Sequence, residues 1–298
     1  LCATRKEGAV KSNISPGVGY LFLKKKRAFD VASIFRLVGY VKENKIQIIH
    51  AHSSSFFTGL CVKILYPKVK LIWHDHYGKS EFVNDRPNKK VLKFASRFFN
   101  GIIAVNSTLK QWAESNLHGK NIFYLNNFAS FVSEKRITKL NGVEGKRIVH
   151  LAGFRAQKDH MILLKAFREV IEIHPDWTLH LVGKNYQDDY GKSILQFIDE
   201  NNLNSSVFLY GICSDIKYIL SQATMGVLSS RSEGLPISLL EYGLAKLPVL
   251  VTNVGQCKEV VINKEAMSTP NSYKDLKEKM ISLIASETLR TKIKNELH

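Results

Sequence analysis

The sequence predicts an α/β protein made of two Rossmann-like, parallel-sheet domains, on three observations. Short apolar runs ending in polar residues alternate with amphipathic stretches of helical spacing. A polar, charged stretch interrupts this alternation near mid-chain, and the alternation then restarts. Strands separated by helix-length connections lie parallel, because a crossover of that length is needed to bring the next strand back in the same direction. With 298 residues, 45% of them hydrophobic, the chain can bury two ordinary cores.

In the first series, IQIIHAH (46–52), VKLIWHDH (69–76), NGIIAVNS (100–107) and KNIFYLNNF (120–128) read as buried strands. The segments 56–65 and 89–99 carry apolar residues at helical spacing. The stretch 130–145, charged and ending in Gly142 and Gly145, is the break. It places a first domain at 1–135, a linker at 136–145 and a second domain at 146–298. There, RIVHLAGF (147–154), WTLHLVG (177–183), SVFLYG (206–211), MGVLSS (225–230) and LPVLVTNV (247–254) read as strands. Helical patterns fill 158–174, 192–201, 215–222 and 236–245, and a charged helical stretch runs from Ser272. The chain starts without a methionine and its last helical stretch has no stop signal, so a fragment is expected.

No apolar run reaches the roughly 18 residues of a membrane span, and the N-terminus lacks the pattern of a signal peptide, so a cytoplasmic protein is expected. Cys2, Cys61, Cys213 and Cys257 form no C-x-x-C pair, which argues against a disulfide framework and a zinc knuckle. The net charge of +17 is lopsided. Residues 1–139 hold 24 Lys and Arg against 8 Asp and Glu, whereas 140–298 hold 19 against 18. A cationic half concentrates anionic partners, here an anionic membrane surface or a phosphate-linked acceptor, with Lys24-Lys25-Lys26-Arg27 its densest run. Nucleic acid is not expected, because no module interleaving aromatic and basic residues occurs.

The strongest chemical signal is SSRSEGLPISLLEYGLAKLPVLVTNVGQCKEVV (229–261). Glu233 and Gly234 form a turn after a strand, and Pro236 suits a first helical residue, whose N–H would be unused. The backbone N–H groups near Ile237, Ser238 and Leu239 then offer an anion site. Glu241, about two turns into the helix, can accept two hydrogen bonds from a diol such as ribose. Gly255 permits a close backbone approach beside Glu259. In LAGFRAQKDH, Arg155 and Lys158 follow the first strand of the second half, at the strand-end crevice where such sheets bind ligands. A guanidinium fork and an ammonium there suit a diphosphate. No Gly-rich phosphate loop is present.

Two H-x-H pairs, His50 with His52 and His74 with His76, raise the question of a metal. Strand side chains alternate between faces, and on that ground each pair is expected to put a single imidazole into a given site, so no metal site is assigned. His50 and His52 are read as structural. Asp188-Asp189 reads as a solvated turn.

On these residues the chain resembles the group 1 (family 4) retaining glycosyltransferases. The resemblance rests on Arg155 and Lys158 after a glycine, on Glu233-x7-Glu241 with Gly234, on Gly255 with Glu259, and on IIHAHSSSFFTGL and LIWHDHYG in the first half. It spans almost the whole chain and implies the GT-B fold, two Rossmann-like domains facing each other across a cleft. It implies transfer of a sugar, retaining and metal-independent, from a nucleotide-sugar donor to a glycan or lipid-linked acceptor in envelope or capsular polysaccharide synthesis. Carried over residue by residue, it gives Arg155 and Lys158 the donor diphosphate, Glu233 the sugar hydroxyls and Glu241 the ribose. The amides after Gly234, at Ile237, Ser238 and Leu239, meet the distal phosphate, Gly255 completes the donor pocket, and Gly211 and Ile212 border the base. His74 contacts the sugar near the reacting centre. No cofactor is implied, the nucleotide-sugar being a substrate. The family's opening strand with its glycine-rich loop, and its closing helix, would lie before Leu1 and after His298. The alternatives are a nucleotide-sugar 2-epimerase of the same fold and a catalytically silent sugar-nucleotide-binding module. The enzyme is expected in the cytoplasm, peripheral on the inner face of the membrane.

Overall fold

The computed structural model describes residues 1–7, 11, 14–27, 29–77, 80–119, 121–131 and 133–297. Gly78, Lys120 and Val132, which fall inside stretches read from the sequence, lie outside the described residues. Two compact units emerge, the first taking in Leu1–Tyr77 and Phe82–Asn126, the second Asn127–His298. Among the described residues, no helix is long and apolar enough to cross a membrane.

The first unit opens with a short parallel pair, β1 (Cys2–Ala3) and β2 (Leu21–Phe22), and helix α1 (Val31–Glu43). Then β3 (Ile48–His52), α2 (Phe56–Leu65), β4 (Lys70–Asp75), α3 (Lys89–Ala95), β5 (Gly101–Ala104), α4 (Ser107–Asn116) and β6 (Ile122–Tyr124) follow in strict alternation. The four strands β3-β4-β5-β6 form one parallel sheet in sequence order. Asp30 and Asn106 start α1 and α4 by accepting the backbone N–H of Ser33 (3.1 Å) and Leu109 (2.7 Å), the usual work of Asx caps. Leu71, Trp73, Ile102, Leu109 and Trp112 fill the core.

The end of β4 is anchored by a buried ion pair. Arg86 meets the Asp75 carboxylate through two hydrogen bonds of 2.7 and 2.9 Å, and its guanidinium stacks within 4.7 Å of the rings of Tyr77 and Trp112. Lys25, expected to be a surface charge, is instead buried: its Nζ donates to Thr58 Oγ1 (2.7 Å), and burial pushes its pKa down. The basic run therefore exposes Lys24, Lys26 and Arg27 but not Lys25.

The second unit alternates β7 (Arg147–Leu151), α5 (His160–Ile173), β8 (Thr178–Val182), α6 (Asp189–Glu200), β9 (Val207–Gly211), α7 (Ile216–Ser221), β10 (Met225–Leu228), α8 (Ile237–Leu244), β11 (Val249–Thr252), α9 (Cys257–Val260) and β12 (Met267–Ser268). Helices α10 (Tyr273–Ala285) and α11 (Glu287–Asn295) close the described chain. The six strands are parallel, in the order β12-β11-β10-β7-β8-β9. This is the doubly wound order, and it reverses between β7 and β10, the switch point at whose strand ends sheets of this kind bind ligands. Strands β8, β10 and β11 are buried at every residue, as expected when helices cover both faces of a sheet.

Asp188 is not a free turn residue but the cap of α6, accepting the Gly191 N–H at 2.9 Å. Segment 137–142 belongs to the second unit: the Asp215 carboxylate accepts the N–H groups of Ile137 (2.8 Å) and Thr138 (2.7 Å), and Leu140 is buried.

Candidate functional site

The candidate site at the β7/β10 reversal is built from two loops clamped to each other. After β7 the chain runs through Arg155 into a 3-10 turn, Ala156–Lys158, and reaches α5 through Asp159, whose backbone is left-handed. After β10 it runs through 229–234. Ser229 Oγ donates to Lys158 O (3.0 Å), Gln157 Nε2 donates to Ser232 O (2.6 Å), and Arg231 grips the buried Asp159 carboxylate at 2.6 and 3.1 Å. These cross-links hold Lys158 against Glu233. Lys158 Nζ lies 2.5 Å from Glu233 Oε1, and Ser230 Oγ donates to the same oxygen at 2.5 Å. Glu233 is only 5% exposed, so its charge is held by these two partners rather than by water.

Gly255 closes this site from the β11 side. Its φ is +53°, and a Cβ there would overlap the Glu233 carbonyl, so only glycine lets the loop lie on the Glu233 turn. The next residue ties it down, the Gln256 N–H donating to Gly234 O at 3.1 Å. Pro236 is the N-cap of α8 rather than its first residue, one position from the expectation. Among the described residues the N–H groups of Ile237 and Ser238 have no acceptor, but that of Leu239 donates back to Pro236 O (3.1 Å) and its side chain is buried in the core. The helix therefore offers two amides, not three. Glu241 shares a helix face with Ile237 four residues earlier. It is half-buried, with no carboxylate partner among the described residues, and burial raises its pKa.

The structure joins Lys158, Glu233, Gly234 and Gly255 but gives Arg155 other company. Arg155 is exposed, its Nη2 donating to Tyr186 Oη (2.8 Å) and its guanidinium 5.2 Å from the Tyr186 ring, over which Lys184 also lies at 5.3 Å. Gly211 ends β9 with φ +66°, and Ile212 after it is 62% exposed, an apolar surface at the strand ends. Sequence reasoning missed Ser230, Tyr186 and Lys184. Ser230 could have been found from its place three residues before Glu233, whereas nothing local marks Tyr186.

In the first unit His74 sits among other imidazoles. Its ring stacks on His50 (5.2 Å, 5° between planes) and lies 5.0 Å from His52 and 4.0 Å from His76. His52 Nδ1 and His76 Nε2 share a hydrogen bond of 2.9 Å. The expectation that each H-x-H pair splits across two faces fails, because positions two apart on a strand point the same way. The register sets His52 opposite His74, and both members of each pair enter one cluster. Burial, reinforced by the neighbouring imidazoles, holds the His74 pKa at about 4, so the ring is neutral at pH 7.

Residues 132–297 match the family model described as Glycosyl transferases group 1, and residues 1–128 match that described as Glycosyltransferase Family 4. An uncharacterized glycosyltransferase of Haemophilus influenzae is 22% identical over 81% of this chain and 66% of its own length. The capsular polysaccharide biosynthesis glycosyltransferase CapH of Staphylococcus aureus is 25% identical over 87% of this chain and 74% of its own. The crystal structure of Anabaena Alr3699/HepE in complex with UDP and glucose superposes with a TM-score of 0.79 at 18% identity, covering 99% of this chain and 85% of that one. That likeness is one of fold, and the fold is GT-B.

Proposed function

This chain belongs to the glycosyl transferases group 1 family, and from that premise we propose that it moves a sugar from a nucleotide-sugar donor onto a glycan or lipid-linked acceptor in polysaccharide synthesis, retaining the anomeric configuration and using no metal in the catalytic step. The observation that carries the reading is the Lys158–Glu233–Ser230 contact beside the two unpaired amides of α8. When a donor binds, Lys158 exchanges Glu233 for the diphosphate and the Ile237 and Ser238 N–H groups take its remaining oxygens. Arg155 turns from Tyr186 to the same diphosphate, Glu241 accepts the ribose hydroxyls, and Gly211 and Ile212 border the base. Glu233, still held by Ser230, accepts hydrogen bonds from the sugar. His74, a neutral imidazole, hydrogen-bonds the sugar rather than acting as an acid at neutral pH.

The bond from the anomeric carbon to the diphosphate breaks, and the acceptor oxygen bonds to the same face. The acceptor proton passes to the departing diphosphate oxygen, so no protein nucleophile is required. Catalysis then rests on positive charge arranged before the reaction, a contribution of roughly 3–4 kcal/mol per donor group. The names of two relatives support the substrates: HepE was crystallised with UDP and glucose, and CapH acts in capsular polysaccharide biosynthesis. Three exposed charges, Lys24, Lys26 and Arg27, support docking on an anionic membrane that presents a lipid-linked acceptor.

The test has two stages. Thermal-shift measurements with UDP-, GDP- and ADP-sugars identify the donor by the rise in midpoint that native-state binding causes. Incubation of that donor, labelled in the sugar, with and without an acceptor extract should give labelled product only with the extract. Acceptor-independent change of the sugar would mean a 2-epimerase, and binding without either reaction a silent module.

A further inference from the structure

Four imidazoles meet where β3 and β4 end. One ring nitrogen from each of His50, His52 and His74 lies within 4.8 Å of the other two. His76 stands beside them, bonded to His52. His74 is buried, and neither of its ring nitrogens has a partner among the described residues. Leaving a buried polar group unpaired is a cost that an apolar ring of similar size would avoid. The carboxylate next to it, Asp75, is taken by Arg86.

We propose that His50, His52 and His74 bind a divalent transition-metal ion of the zinc class. Imidazole is the donor that zinc accepts readily, and three histidines with a fourth position left to water is an established tetrahedral arrangement. With Zn–N near 2.0–2.1 Å the ligand nitrogens stand roughly 3.3 Å apart, so closing from separations within 4.8 Å asks for at most roughly 1.5 Å of movement. His50 and His52 are exposed and can supply it by turning about the broad χ2 torsion. His76 orients His52 through their shared hydrogen bond, the part an outer partner plays at a metal-bound imidazole. A cavity of about 480 Å³ bordered by His50, His52, Ser55 and Thr58 has room for the fourth ligand. An ion there engages His74, so metal and a sugar contact at His74 exclude one another. That last consequence rests on the proposed transferase activity and makes zinc an inhibitor of it, not its cofactor.

The experiment is titration of the metal-free chain with Zn²⁺ by calorimetry, and with Co²⁺ by visible absorption, for the wild type, His50→Gln, His52→Gln and His118→Ala. The wild type should bind one ion with Co²⁺ bands of a low-coordinate site. His50→Gln and His52→Gln should each weaken binding by at least about 10- to 100-fold, while His118→Ala, an exposed histidine elsewhere, leaves it unchanged. Both glutamine variants alter exposed side chains, and an unchanged circular dichroism spectrum checks that they fold. Binding equal in wild type and both glutamine variants, or no saturable binding at all, overturns the site. Zinc inhibition of transfer, relieved by EDTA and absent in His50→Gln, is read separately. Metal binding without any transfer would overturn the transferase reading and leave the metal site standing.

Discussion

In the second unit the polar groups of the strand-end crevice satisfy one another, Lys158 and Ser230 on Glu233 and Arg231 on Asp159, whereas in the first unit the imidazoles at the strand ends mostly face each other. The charges differ in the same sense, balanced in the second half and strongly positive in the first. A site whose ions are already paired is held in shape before substrate arrives, and binding proceeds by exchange of partners. A cluster with unused nitrogens is held by the strands beneath it, and its capacity is open to an outside ligand.

That dependence on the strand makes Asp75→Ala the largest expected effect. It strands the Arg86 guanidinium in the core of the first unit, and loss of one partner of a buried pair costs about 3–5 kcal/mol. Urea denaturation should register that loss. A change below about 1 kcal/mol would mean the pair does not anchor the end of β4.

Lys158→Ala tests the second region in the opposite way. Glu233 keeps its Ser230 donor, so the fold should survive, but transfer should fall by about 10²–10³-fold with donor affinity also reduced. Wild-type transfer should persist in EDTA, since the positive charge comes from side chains and amides. Loss on chelation, restored by magnesium or manganese, contradicts the metal-free step.

Acid bears on both regions, since His74 in the first unit and His160 in the second are each held at a pKa of about 4. Burial holds the His160 pKa at about 4 and pushes that of His150, its ring neighbour at 4.7 Å, well below the usual value. Both are neutral in the fold and protonate near pH 6.5 when unfolded. The unfolded chain therefore binds more protons between pH 6.5 and 4, and stability falls as pH drops through that window, on the order of 3 kcal/mol for His160 alone. A flat unfolding midpoint from pH 7 to 5 would mean these rings are not held neutral.

Gly255→Ala should cost about 1–3 kcal/mol, through its left-handed backbone and the overlap with the Glu233 carbonyl, and should lower transfer by disturbing Glu233. Wild-type kinetics would show that the Glu233 turn does not depend on that approach. Smallest per residue is the membrane term, about 1 kcal/mol for each exposed charge at low salt. Replacing Lys24, Lys26 and Arg27 with serine should reduce co-sedimentation with anionic liposomes, and 1 M salt, where the screening length is about 3 Å, should abolish the difference. Equal binding to neutral liposomes leaves these charges as a solubilising surface.

Several elements were written plainly in the chain. The strands with continuous apolar runs lie where their patterns say, and the 229–261 motif stands on the turn and helix it describes. Helix α1 was not legible, because exposed Val31 and Phe35 blur the spacing of its buried Ile34, Val38 and Val41. Nor was α4, with few apolar residues in ten, although Asn106 is a cap signature. Lys25 read as surface because charge pattern says nothing of a Thr58 hydroxyl 33 residues away.

By itself the sequence determined two alternating parallel-sheet units, their charge imbalance, and the positions of Lys158, Glu233, Glu241 and Gly255, since these depend on local periodicity and on residues few other backbones require. Only the tertiary structure decided that Lys158 pairs with Glu233 while Arg155 joins Tyr186, that Leu239 N–H is already bonded, and that two H-x-H pairs form one cluster. Those outcomes depend on which strands become neighbours and in what register, and parallel pairing joins residues whose separation along the chain carries no local signal.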